Sequence, residues 1–181
     1  MQLTTRTEKD TRQIGRLIGK LAEPGLVLAL YGDLGSGKTV LVRGLARGLG
    51  VSEQTPITSP TFTLINEYAG RLLLFHADLY RIAHCAELEE IGFDEVFSGK
   101  GVVAVEWAEN CERLLPADRL EIRFHDPEPE IRILSLNACG QHSEDLLQAL
   151  RKQMEACRGD DAPPADVQKR DRGRAEKHRT P

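Results

Sequence analysis

The sequence predicts a single α/β domain built on a mixed, mostly parallel sheet between helices, and three features carry that prediction. Residues 26–31 (Leu-Val-Leu-Ala-Leu-Tyr) form a short, continuous apolar run between turn residues, the pattern of a strand buried on both faces. A glycine-rich segment follows at once, and behind it Leu41, Val42, Leu45, Ala46 and Leu49 recur at helical spacing up to Gly50. Two further β-prone runs, residues 61–68 and 71–75, are parted only by Ala69-Gly70, so a hairpin mixes the strand directions. A chain of 181 residues holds one ordinary core and is too short for two. The domain is expected over residues 1–157.

At the start of the chain, Thr7 with Asp10 three residues on reads as a helix cap. Ile14, Leu17, Ile18 and Leu21 then share one face before Pro24-Gly25, so the first helix is expected over residues 8–21. Gly44, inside the second helix, costs roughly 1 kcal/mol relative to alanine, which points to close backbone packing there. Residues 86–97 read as a helix interrupted by Gly92, and Gly99-Lys100-Gly101 closes it ahead of an apolar strand at 102–105. Residues 120–124 and 131–136 form a strand pair across Pro127 and Pro129. A last amphipathic helix is expected over residues 143–157, capped by Ser143 and Glu144. Beyond it only alanine and valine are apolar, beside paired prolines, so residues 158–181 are expected to be a disordered charged tail.

The formal charge is −4, but seven Lys/Arg against five Asp/Glu in the tail leave the body at −6. An acidic body does not suit unaided nucleic-acid binding, so any nucleic acid is expected to arrive through a partner. Residues 1–12 are polar, with no apolar run behind a basic start, and no run approaches the roughly 20 residues of a membrane helix. A soluble, cytoplasmic protein without membrane contact is expected. Cys85, Cys111, Cys139 and Cys157 form no C-x-x-C pair and no Cys/His cluster, so reduced thiols that mostly fill the core are expected.

Residues 32–39, GDLGSGKT, match G-x-x-x-x-G-K-[ST] between a predicted strand and a predicted helix, the Walker A arrangement of P-loop NTPase-like domains. Glycines let successive amides turn inward around phosphate oxygens, helped by the positive end of the next helix. Lys38 would reach the β- and γ-phosphates and the Thr39 hydroxyl would ligate Mg2+. No [NT]-K-x-D guanine reader occurs, which favours ATP. Glu106, at the end of the 102–105 strand, is the candidate acid on the metal side, and the adjoining Trp107 is either a core aromatic or a lid beside the nucleotide. If the strand at 71–75 persists, His76 and Asp78 share a face. Asp78 would then position the attacking water or bind Mg2+ through water, or else cap the next turn, and His76 is read as a structural hydrogen bonder. Ser59-Pro60-Thr61-Phe62-Thr63 is either a γ-phosphate-sensing loop or a turn that opens a strand.

Taken in order within one small domain, GDLGSGKT, SPTFTL, HADLYR, ELEEIGFDEVF and VEW resemble the bacterial TsaE family across roughly residues 7–136. The resemblance implies an ATPase required for threonylcarbamoyladenosine modification of tRNA. Gly35, Ser36, Gly37, Lys38, Thr39 and Val40 would hold the phosphates, Thr39 and Glu106 the Mg2+, and Asp78 would be needed for hydrolysis. Thr61 would belong to a switch loop, and Glu8 would lie beside the adenine with a second contact near residues 130–132. The resemblance also implies docking on the threonylcarbamoyl transferase complex of TsaD and TsaB type proteins, with tRNA reached only through that complex. Two other readings of the motifs stay open, a small-molecule P-loop kinase and a nucleotide-dependent binding switch.

Overall fold

The computed structural model describes residues 1–128 and 130–159. Its centre is the apolar run, as strand β2 (Val27–Tyr31), every residue of which is buried. Strand alternation divides it between two cores: Leu28 and Leu30 face one, and Val27, Ala29 and Tyr31 the other. Four helices surround the sheet, α1 (Glu8–Leu21), α2 (Lys38–Gly48), α3 (Ala86–Glu90) and α4 (Gln141–Gly159). The first core takes Ile14 and Ile18 of α1, Leu41 and Leu45 of α2 and Leu147 and Leu150 of α4. Leu88 of α3 and Phe93 of a 3-10 segment at Phe93–Phe97 close the second, on the opposite face.

Seven strands form one sheet in the order β1 (Gln2–Thr5), β7 (Ile131–Ala138), β6 (Leu120–Glu128), β2, β5 (Gly101–Glu106), β4 (Leu73–Asp78), β3 (Ile65–Tyr68). β6, β2, β5 and β4 are mutually parallel, β3 and β7 run against them, and β1 returns to the common direction. The expected α/β layering with a mixed, mostly parallel sheet is therefore what forms, and no helix among the described residues is long and apolar enough to cross a membrane.

Several local expectations change. The hairpin's first strand starts at Ile65, not at residue 61, because Thr63 and Leu64 both donate their amides to Pro60 O, at 3.1 and 2.7 Å, and Leu64 takes φ 66°. That turn leaves the hydroxyls of the SPTFT segment off the sheet. Its partner strand does persist, through His76 to Asp78. β1 has no counterpart in the sequence reading: at four residues, with Leu3 and Thr5 alternately buried, it is too short to show a period. A second 3-10 segment, Ala108–Leu114, was equally silent.

The cap of α4 is also not the expected one. The helix begins at Gln141, and its first amides, of His142 and Ser143, donate at 2.8 and 3.0 Å to Asp118, a residue from the turn before β6. Partial burial pushes the Asp118 carboxyl up, but these donors outweigh it and hold the group below the usual aspartate value. Asp118→Ala is expected to cost about 1–2 kcal/mol, as cap removals do, lowering Tm by roughly 3–6 °C in a thermal melt at neutral pH. Because the folded carboxyl titrates below its unfolded value of about 3.9, this contribution is whole above that pH and fades as pH falls through the folded value.

The expectation of separate, reduced thiols fails for Cys85 and Cys111. The turn ahead of α3 and the Ala108–Leu114 segment pack together with Cα atoms 5.4 Å apart, and the two sulfurs form a disulfide across 26 residues of sequence. Cys139 is exposed rather than a core filler. The helix runs to Gly159, two residues past its expected end, and residues 160–181 of the expected tail lie outside the described residues.

Candidate functional site

The parallel strands deliver their last residues to one edge of the sheet, where doubly wound folds bind ligands. Register places Leu30 of β2 opposite Glu106 of β5, and Glu106 opposite Asp78 of β4. The glycine loop leaves β2 at the same edge and enters α2. Together they line a cavity of about 300 Å3 whose walls include Gly35, Lys38, Thr39, Thr61, Asp78 and Glu106. Gly37 and Val40 line it as well, and Ser36 lies buried between Gly35 and Gly37.

The loop's backbone needs its glycines: Gly32, Gly35 and Gly37 hold φ of 139°, 83° and 105°, all strained for a residue with a Cβ. No side chain caps α2, so its first amides face the cavity uncommitted, and the buried Ser36 hydroxyl has no partner among the described residues. Both are donors of the kind that triphosphate oxygens satisfy. Lys38 folds back on its own loop, donating to Gly32 O at 2.6 Å and Asp33 O at 2.9 Å, with its ammonium 4.0 Å from the centre of the Trp107 ring. Burial pushes the Lys38 pKa below the ordinary lysine value, against the opposing pull of Glu106, Glu109, Asp78 and Asp33.

On the acidic side, Thr39 Oγ1 donates to Glu106 Oε2 at 2.9 Å, while Glu106 Oε1 meets the buried His76 Nε2 at 2.8 Å. His76 thus fixes the carboxylate, the structural role read for it in the sequence. A hydroxyl and a carboxylate in contact at the cavity wall are hard oxygen donors that fit Mg2+, which takes few protein ligands and shares the rest with phosphates and water.

Asp78 does cap the next turn, one of the readings raised for it. Its Oδ1 accepts from the Tyr80 amide at 2.9 Å and so caps the turn, while Oδ2 accepts from Thr61 Oγ1 at 2.8 Å and from Ser59 Oγ. The SPTFT turn is therefore tethered to the β4 carboxylate. Trp107, with φ 58°, lines the cavity with its ring 4.9 Å from that of Tyr80 while also packing against the second core, so its place has something of both readings.

Glu8 is not brought into the cavity. It stands exposed at the start of α1 and pairs with Arg12 at 3.5 Å. Arg132, within the looser expected contact region, does approach the loop: a Cβ on Gly37 would stand 3.6 Å from its side chain. Ser59 and Tyr80 are wall residues that were not singled out, although both sit inside motifs that were, SPTFT and HADLYR.

Residues 5–133 match the family model described as threonylcarbamoyl adenosine biosynthesis protein TsaE. The chain belongs to the TsaE family. A TsaE of Bacillus subtilis is 42% identical over 154 residues, covering 83% of this chain and 95% of that protein. One of Treponema pallidum is 46% identical over 116 residues, 64% of this chain and 84% of its own length. The crystal structure of B. subtilis YdiB superposes with a TM-score of 0.75 at 37% identity, covering 85% of this chain and 95% of that one. Like the TsaE family as a whole, this member takes part in tRNA threonylcarbamoyladenosine biosynthesis.

Proposed function

We propose that this TsaE-family chain is a slow, Mg2+-dependent ATPase that acts on the threonylcarbamoyl transferase complex of TsaD and TsaB type proteins, and meets tRNA only through it. One observation carries the reading: the Asp78 carboxylate stands in the wall of the glycine-loop cavity, tied by Oδ2 to the hydroxyls of the SPTFT turn. A carboxylate so placed can orient a water toward a terminal phosphate. The loop amides and Lys38 would bind the phosphates and stabilise the charge that develops there. For that, Lys38 must leave the carbonyls of Gly32 and Asp33. Thr39 and Glu106 would hold Mg2+, which when bound neutralises phosphate charge. Trp107 and Tyr80 would cover the mouth and exclude water. With Phe62 and Thr63 of the SPTFT turn exposed, turnover by the isolated chain should be slow until a partner fixes that turn.

No arginine lines the cavity among the described residues, which argues against the lid chemistry of a small-molecule kinase. The test is free phosphate released from ATP and Mg2+ with no acceptor present. Stoichiometric release, faster when the partner complex and tRNA are added, is expected. ATP that stays intact until a small-molecule acceptor is supplied would sink the ATPase reading.

A further inference from the structure

The body of this chain is acidic, yet four of its arginines converge. Helices α1 and α2 cross with their backbones almost touching, because a Cβ on Gly44 would stand 2.0 Å from Arg12 O and one on Gly48 2.2 Å from Arg16 O. Arg12 and Arg16 are one turn apart on α1, and Arg43 and Arg47 one turn apart on α2. The glycine contact sets these two pairs around a single cleft of about 560 Å3, separate from the glycine-loop cavity and lined as well by Gly44, Glu53, Pro56, Ile57 and Thr58.

The four are not equally engaged. Arg47 spends its guanidinium on the 51–55 turn, donating to Thr55 O at 2.7 Å and pairing with Glu53 at 3.1 Å. Arg43 commits only Nε, to Ile57 O at 3.0 Å, and Arg12 reaches Glu8 at 3.5 Å across an exposed surface. Arg16 makes no hydrogen bond or ion pair among the described residues, so three guanidinium groups keep donors for a visitor.

We propose that this cleft docks an Asp/Glu-bearing segment of a protein partner. Guanidinium forks match carboxylates in pairs, arginine is enriched at protein-binding hot spots, and the carboxylate in the lining, Glu53, is already paired with Arg47, leaving the other three for a partner. A polynucleotide is the poorer fit. No aromatic side chain lines the cleft for base stacking, and three free charges on a chain of net charge −4 make a short footprint for a phosphate track. The position also gives docking a route to the cavity. Arg43 holds Ile57 O, and two residues further on Ser59 begins the turn that grips Asp78. An acidic segment that draws Arg43 outward would thereby shift the SPTFT turn.

The choice of probe rests on the function proposed above; the cleft itself does not. Binding of purified TsaD and TsaB type proteins from the same organism to the full chain, with Mg2+ and ATP, is measured by calorimetry. Arg16→Glu is expected to weaken it about 30-fold or more, with Arg16→Lys close to wild type and Arg151→Glu, on α4, unchanged. Affinity for a fluorescent ATP analogue should stay within about twofold in all three. Partner affinity unchanged in Arg16→Glu overturns the proposal. So does a variant that keeps the protein partner but loses labelled tRNA in an anisotropy titration, because the occupant would then be RNA. Wild type that hydrolyses ATP yet binds no partner overturns the docking proposal and leaves the ATPase standing, whereas partner binding lost in Arg16→Glu without any ATP turnover in wild type does the reverse.

Discussion

Replacing Asp78 by alanine is expected to lower ATP turnover about 10²- to 10⁴-fold, the range for losing a positioned proton acceptor, while ATP affinity changes only a few-fold. Affinity should be spared because the groups proposed to hold phosphate, the loop amides and Lys38, make no hydrogen bond to Asp78 in the structure. Turnover suffers twice, through the missing carboxylate and through release of Ser59 and Thr61 from Oδ2. Asp78→Asn separates the two contributions. With its oxygen toward the Tyr80 amide, the asparagine side chain presents Nδ2–H to the Ser59 and Thr61 hydroxyl oxygens, which can accept from it, and the amide is a poor base, so this variant should keep much of the turn and still lack turnover. Phosphate release measured alongside nucleotide titration checks both, and turnover surviving in either variant would remove Asp78 from the catalytic role.

Gly44→Ala is expected to destabilise the fold by about 3 kcal/mol or more, a fall in Tm of roughly 6–12 °C. Helix propensity alone gives the opposite sign, since alanine inside a helix is worth roughly 1 kcal/mol over glycine. Packing decides. The added methyl would stand 2.0 Å from Arg12 O and 2.8 Å from its carbonyl carbon, backbone atoms that no rotamer change can move aside. Relief requires parting α1 from α2, which unseats Ile14, Ile18, Leu41 and Leu45 from the same core. A thermal melt of the variant against wild type reads the sign directly, and a Tm equal to or above wild type would mean the helices separate freely.

The legible parts of this molecule were those whose information is local. The capping box of Thr7 and Asp10, the buried run of β2, the glycine loop and the break at Gly92 each rest on a handful of adjacent residues, and each stands where the sequence put it. Gly44 was legible as an anomaly, a helix breaker kept for packing, but its partner was not: nothing local names the carbonyl of Arg12. The same limit hid the Asp118 cap, which reaches α4 across 24 residues, and the Cys85–Cys111 bond across 26. Asp78 was undecided between two roles because both are strand-end chemistry; three-dimensional placement shows the cap through Oδ1 and adds a tether to Thr61 through Oδ2 that spacing did not suggest. The basic cleft was hidden for another reason. Net charge averages over the whole surface, and only the crossing of two helices turns four scattered arginines into a patch.

Trp107 is the only tryptophan in the chain, and its indole carries the Lys38 ammonium over one face with Tyr80 alongside. All of the molecule's tryptophan emission therefore originates at the cavity wall, from a ring beside the ammonium that, in the proposed function, would swing toward a phosphate. The protein carries a native optical gauge of Lys38, readable without a label and without any second tryptophan to dilute the signal.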